Sequence, residues 1–182
     1  MRTRTVAVTA TLAAVLSVAA CDGNSSSDAT ITTPATTSTT ADGSLHLRFG
    51  QTYTWPDGVK VSVSEAKVFT DYDTSSGEKP TPGSTDYQVM IRITNDSRTS
   101  FDLSELSVIT DGATNGGQAA ATAWVNGAPG LEGRLAPGVT ATKADAETLE
   151  KRFGRKVVVT VQRSSSPDVT YDFPEFSGSI TD

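Results

Sequence analysis

One thiol, one imidazole and a scattering of carboxylates are the reactive groups of this chain, and their counts restrict its chemistry. The sequence has a single cysteine, Cys21, and a single histidine, His46. Nucleophilic hydrolysis needs a base beside the nucleophile. His46 falls on the polar side of an alternating segment, with Leu45, Leu47 and Phe49 on the other side, so its ring is expected to face solvent. One His and one Cys cannot complete a thiolate zinc site, and no nucleophile elbow or phosphate loop is present. Neither enzymatic activity nor a cofactor is expected. The densest group of hard oxygen donors runs from Asp71 to Glu78, where Asp71, Asp73, Ser75 and Glu78 form a candidate ligand or cation loop. It departs from an EF-hand, because counting from Asp71 puts Ser76 where glycine is needed and Pro82 where the closing carboxylate is needed. A solvated connection between two strands is the simpler account. Lys151, Arg152, Arg155 and Lys156 flank Phe153 and could meet anionic headgroups or wall polymers, but cations also favour helix C-termini, and that reading is preferred.

Cys21 takes its meaning from what precedes it. Arg2 and Arg4 are followed by an apolar, uncharged run from Val6 to Ala20, the order of an export signal. The run has 15 residues, whereas a membrane-spanning helix wants about 20. Asp22, Gly23 and Asn24 follow it rather than a basic stop-transfer flank, so cleavage is expected. Val18-Ala19-Ala20-Cys21 resembles the lipobox of bacterial lipoproteins, which implies diacylglycerol and fatty acyl chains such as palmitate on Cys21 and a mature chain that begins there. Each acyl chain contributes about 0.8 kcal/mol per buried CH₂, so two or more hold a domain at a membrane almost permanently. The same resemblance removes Cys21 from any thiol–imidazole pair. It places the protein on the extracytoplasmic face of the cell membrane. In a host with two membranes, Asp22 resembles a signal for inner-membrane retention.

The chain divides into a signal peptide (1–20), the lipidated Cys21 with a tether (21–44) and a domain (45–182). Asp22 to Ser44 is made almost wholly of Ser, Thr, Ala, Asp and Gly, with one Pro and one large aliphatic, Ile31, and cannot bury enough surface to offset its ordering entropy. As a flexible coil it reaches about 25 Å on average. Its threonines could carry glycans, although a plain spacer suffices. Removing Arg2 and Arg4 takes the 15 basic residues to 13 against 21 acidic, a formal charge of −8 for the mature form. Nucleic acid is not an expected partner.

From Leu45 the hydropathy alternates with period two, the mark of strands with one buried face. Val59, Val61 and Val63 form one such run after the turn sequence Trp55-Pro56-Asp57-Gly58; Ala66 and Val68 then shift parity, which predicts a bulge near Ser64-Glu65. Tyr87, Val89, Ile91 and Ile93 predict a central strand ending at Asn95. Shorter candidates follow at Phe101–Leu103, Leu106–Val108 and Ala123–Val125, then Val157–Val161 and Val169–Phe173. Ala146, Leu149 and Phe153 are spaced three and four apart before Gly154, which predicts a turn or two of helix over Asp145–Arg152. The expected fold is mainly β, an immunoglobulin-like antiparallel β-sandwich with at most one short helix; a small closed barrel is the alternative. With one cysteine the domain forms no internal disulfide, so packing alone must stabilise it.

Phe49-Gly50-Gln51-Thr52-Tyr53-Thr54-Trp55, then Asp57-Gly58-Val59, Thr94-Asn95, Leu135-Ala136-Pro137-Gly138 and the final Tyr171-Asp172 to Phe176-Ser177-Gly178 resemble a domain of actinobacterial surface lipoproteins. That family is similar to the superfamily of secreted mycobacterial immunoprotective antigens with an immunoglobulin-like extracellular domain. The resemblance implies fold and location rather than chemistry. Here the segment after Gly138, Thr140 to Asp145, is less apolar than the family's strand, so one sheet edge is expected to differ. The favoured role is a membrane-anchored binding or adhesion module meeting an envelope protein or glycan; a structural or accessory lipoprotein supporting a transporter or wall enzyme is the alternative. Tyr53, Trp55, Trp124 and Phe176 are the candidate partner surface.

Overall fold

Valine and isoleucine at every second position leave a pleated strand one way to hide its apolar side, against a second layer. The computed structural model describes residues 45–164 and 173–182. The signal segment, Cys21 and the tether lie outside them, as do Val169 and Tyr171 of the expected penultimate strand. The described strands are His46–Arg48 (β1), Tyr53–Thr54 (β2), Val59–Val68 (β3), Ser84–Asn95 (β4), Phe101–Asp102 (β5), Leu106–Gly112 (β6), Ala120–Ala121 (β7), Arg134–Leu135 (β8), Thr140–Glu150 (β9), Lys156–Arg163 (β10) and Glu175–Thr181 (β11). Helix among the described residues is confined to two 3-10 turns, Leu103–Glu105 and Lys151–Phe153. None is long and apolar enough to cross a membrane.

Nine strands form one strongly curled sheet in the order β6-β10-β11-β3-β4-β9-β7, with β1 added on β11 and β2 on β3. The molecule is mainly β, and the sheet folds over on itself as a sandwich. Strand β11 makes the corner: Glu175–Ser179 pairs antiparallel with β10, and Ile180 and Thr181 then pair parallel with Ala66 and Lys67 of β3. On the opposite side Gln118 bridges back to Asp111 of β6 just before β7 joins β9, so the curl nearly closes. Strands β5 and β8 form a separate two-stranded piece.

The core lies between the two halves. Val59, Val61, Val63, Tyr87, Val89, Ile91 and Ile93 from one half meet Val157, Val159, Val161 and Phe176 from the other, all at 0% exposure. Full burial of such a side chain contributes roughly 1.5–3 kcal/mol. The β3–β4 register shifts between Val63 and Glu65, and the bulge returns Ala66 to the buried face as the parity change requires.

Three expectations are corrected. Asp145–Glu150 is not helical: it completes β9, which pairs with β4 without interruption from Thr140 opposite Thr94 to Glu150 opposite Ser84. A fully satisfied ladder outweighs a three-and-four spacing over eight residues, and only Lys151–Phe153 turns, ending at Gly154. The weakly apolar Thr140–Asp145 is thus part of a long strand. Second, Tyr53, Trp55 and Phe176 are core residues rather than a partner surface, with Tyr53 edge-on to Trp55 at 5.3 Å. Ala123–Val125 is also not a strand; the short pairing falls on Ala120–Ala121 instead.

Candidate functional site

The acidic loop uses its oxygens on itself. Asp73 accepts from the Ser75 amide at 2.9 Å and the Ser75 hydroxyl at 2.6 Å, and these bonds hold its carboxyl below the usual range. Glu78 spans two segments: Oε2 accepts from the Asp73 amide at 2.9 Å and Oε1 from the Val125 amide at 2.7 Å. The Asp71 carbonyl accepts from Asn126 at 3.1 Å. The loop therefore ties itself to the segment around Trp124, and among the described residues no three His, Cys, Asp or Glu side chains are grouped to hold a metal.

Trp124 belongs to the same joint. Its ring stacks on Phe69 at 4.3 Å, and Tyr72 stands edge-on to both. The Tyr72 hydroxyl donates to Asp86 Oδ2 at 2.8 Å, as does the Thr81 amide at 2.8 Å. Burial and the neighbouring Asp86 push Tyr72 up to about 12. Burial would raise Asp86, but the Thr81 amide and the hydroxyls of Thr148 and Tyr72 outweigh it and hold Asp86 low. These aromatics fasten two loops over the outward side of β4 and β9.

His46 is exposed over 83% of its side chain and pairs with Glu175 at 2.9 Å. In the basic cluster Arg152 meets Glu150 at 2.7 Å and lies over the Phe153 ring, while Arg155 meets Asp182 at 2.6 Å. These pairings are local and solvent-facing.

Two ionisable groups escaped the sequence. Glu147, 3% exposed, accepts from the Tyr87 hydroxyl at 2.6 Å inside the sandwich. Burial first, then the charge of Asp145, pushes Glu147 up to about 7; burial also raises Asp145 and Tyr87. Alternation carried backwards from Leu149 would have placed Glu147 and Asp145 inward, but the helical spacing hid it. Arg163, its side chain 6% exposed, donates to Asp57 at 2.7 Å. Its guanidinium lies 4.7 Å from the Phe101 ring centre and 5.5 Å from that of Trp55. A lone arginine at the end of a valine strand gives no such signal. Both side chains are themselves largely buried.

A concave surface lies on the outward side of the sheet. Below the aromatic joint, the outward faces of β2, β3, β4 and β9 form a depression of about 490 Å³. Register places Thr54, Lys60, Thr94 and Thr140 in one row across the four strands, and Ser62 opposite Arg92 in the next. Thr94 and Thr140 share a hydrogen bond of 2.8 Å, and Lys60 is paired with Asp96 at 2.6 Å. Arg92 is exposed and forms no ion pair or hydrogen bond with another described side chain. Lys60, Ser62, Arg92 and Thr94 alternate with the buried Val61, Ile91 and Ile93 and so face outward; which ones share a row depends on the register.

No family model matches the chain, and no curated protein does. Among solved structures it is similar to a candidate lipoprotein from Bacillus subtilis, at 12% identity and a TM-score of 0.50 over 70% of this chain. The chain spans 38% of the length of that protein. A second Bacillus subtilis protein matches at 10% identity and a TM-score of 0.49, covering 74% of this chain and 98% of its own. An uncharacterized β-sandwich protein from Clostridium difficile matches at 9% identity and 0.45, covering 72% and 92%. At such identities the likeness is one of fold.

Proposed function

We propose that this chain is a lipid-anchored lipoprotein on the extracytoplasmic face of the cell membrane, and that its β domain is a non-enzymatic binding module of the envelope. The observation that carries the reading is the position of Cys21 in the sequence, directly after the apolar run Val6–Ala20 and directly before the Ser/Thr-rich stretch that ends at Ser44. Two features support it. The solved structure of similar fold from Bacillus subtilis is described as a candidate lipoprotein, and the shifted carboxylate Glu147 is buried against Tyr87 rather than offered to a substrate. The immunoglobulin-like character and the tie to actinobacterial surface lipoproteins belong to the same proposal and rest on the motifs from Phe49 to Gly178.

Mass spectrometry of the membrane-extracted protein tests it. A mature chain beginning at Cys21 and carrying the mass of diacylglycerol and fatty acid is expected, and Cys21→Ala is expected to leave the membrane fraction. An unmodified thiol at Cys21, or wild-type protein released into the medium, overturns the reading.

A further inference from the structure

We infer that the depression on the outward face of β2, β3, β4 and β9 binds an acidic glycan, a polyhydroxylated chain bearing carboxylates, with Arg92 as the charge contact and the flanking hydroxyls reading the sugar. The inference rests on the module proposed above and names its ligand class. A volume of about 490 Å³ lies within the roughly 300–1,000 Å³ of small-ligand sites. Its lining differs from the apolar centre of a protein–protein interface, where charged residues are depleted and aromatics enriched. Here Thr52, Thr54, Ser62, Ser64, Thr94 and Thr140 contribute hydroxyls, and each hydroxyl both donates and accepts, as sugar hydroxyls do.

Charge selects the kind of glycan. Lys60 is neutralised by Asp96 at 2.6 Å, which leaves Arg92 as the unpaired cation of the lining. It stands between Ser62 of β3 and Thr142 of β9. A guanidinium held on a rigid central strand offers two parallel N–H donors to a carboxylate, the geometry that makes such pairs short and directional. Glu65 lies two pairs further along β3, beyond Val63 and opposite Met90, and neither lines the depression nor pairs with Arg92. In a chain of net charge −6, long-range attraction does not draw an anion here, so recognition depends on this one local contact. None of Phe69, Tyr72 and Trp124 lines the depression, so the site is built without the aromatic joint.

Isothermal titration calorimetry of the detergent-extracted full chain tests this, with an oligogalacturonate as the acidic probe, maltohexaose as the neutral one and sodium acetate as the carboxylate alone. Saturable one-site binding of the oligogalacturonate is expected, with maltohexaose and acetate at least about tenfold weaker. Arg92→Gln should weaken the acidic probe about tenfold or more, the scale of a lost charged hydrogen bond. Thr94→Val with Thr140→Val should weaken it severalfold, and Lys156→Gln, on the other half of the sheet, should leave it unchanged. Arg92 is exposed, so its replacement leaves the fold in place. No saturation at millimolar oligogalacturonate, equal affinity for maltohexaose, or an Arg92→Gln chain that binds as the wild type overturns the inference. The Cys21 measurements stand apart from all of these, so failure of this site leaves the anchored module standing.

Discussion

At the scale of single residues, the least expected feature is a carboxylate inside a valine core. Glu147 is tolerated there because the Tyr87 hydroxyl donates to it at 2.6 Å and because burial raises its proton affinity, so that it can be neutral near pH 7. The sign of the resulting pH effect follows. The unfolded chain releases this proton near its ordinary 4.5 and the folded chain near 7, so between those values the folded state holds more protons. Stability therefore falls as pH rises through that window and stays lowered above it, by about 3 kcal/mol at most for a shift of this size. Asp145, raised by burial as well, acts in the same direction. Urea unfolding at pH 5 and pH 8 is expected to show a lower midpoint at pH 8, and Glu147→Gln to remove most of the difference while raising stability at pH 8. A wild type equally stable at both values would show that the cluster stays ionised without penalty.

Among the elements, β9 shows where sequence is legible and where it is not. Strands β3, β4 and β10 declare themselves, since their inward positions are almost all Val or Ile and the bulge at Ser64-Glu65 is visible as a change of parity. Strand β9 carries Ala141, Lys143, Asp145, Glu147 and Leu149 at alternate positions. Only Leu149 is strongly apolar, and the accidental spacing to Ala146 and Phe153 imitates a helix. What makes it a strand is external, the ladder with β4. The outward depression was half legible for the same reason: alternation turns Lys60, Ser62, Arg92 and Thr94 away from the core, but pairing decides that Arg92 meets Ser62 and Lys60 meets Thr94. The aromatic surface failed because Trp55 sits under the turn at Asp57-Gly58, where composition suggests exposure and packing enforces 1%. Leu149, equally buried, is the anchor of β9. Leu149→Ala is expected to cost about 2–5 kcal/mol, the range for removing a buried leucine, read from the shift in urea midpoint. A cost below 1 kcal/mol would mean that β9 is held by its ladder alone.

For the whole molecule the question is whether the outward aromatic joint melts with the core or before it. Continuity argues for one transition. Strand β11 joins both halves of the sheet through its pairings with β10 and β3, and one hydrophobic cluster links β3, β4, β6, β10 and β11. No disulfide stands in for that packing, since the chain has one cysteine. The joint of Phe69, Tyr72 and Trp124 lies outside this cluster, but it is fixed to β4 by the two hydrogen bonds of Asp86 at 2.8 Å and to the acidic loop by Glu78 at 2.7 Å. Asp86 is buried on β4, so releasing the joint would expose a carboxylate together with its donors and loosen the central strand. The two tryptophans separate the regions: Trp55 reports the core and Trp124 the joint. Fluorescence of Trp55→Phe and Trp124→Phe chains in urea is expected to give midpoints that coincide with each other and with far-ultraviolet circular dichroism, after allowance for each substitution's own effect on stability. An earlier transition of the Trp124 signal, confined to the chain that lacks Trp55, would make the joint a separately opening unit.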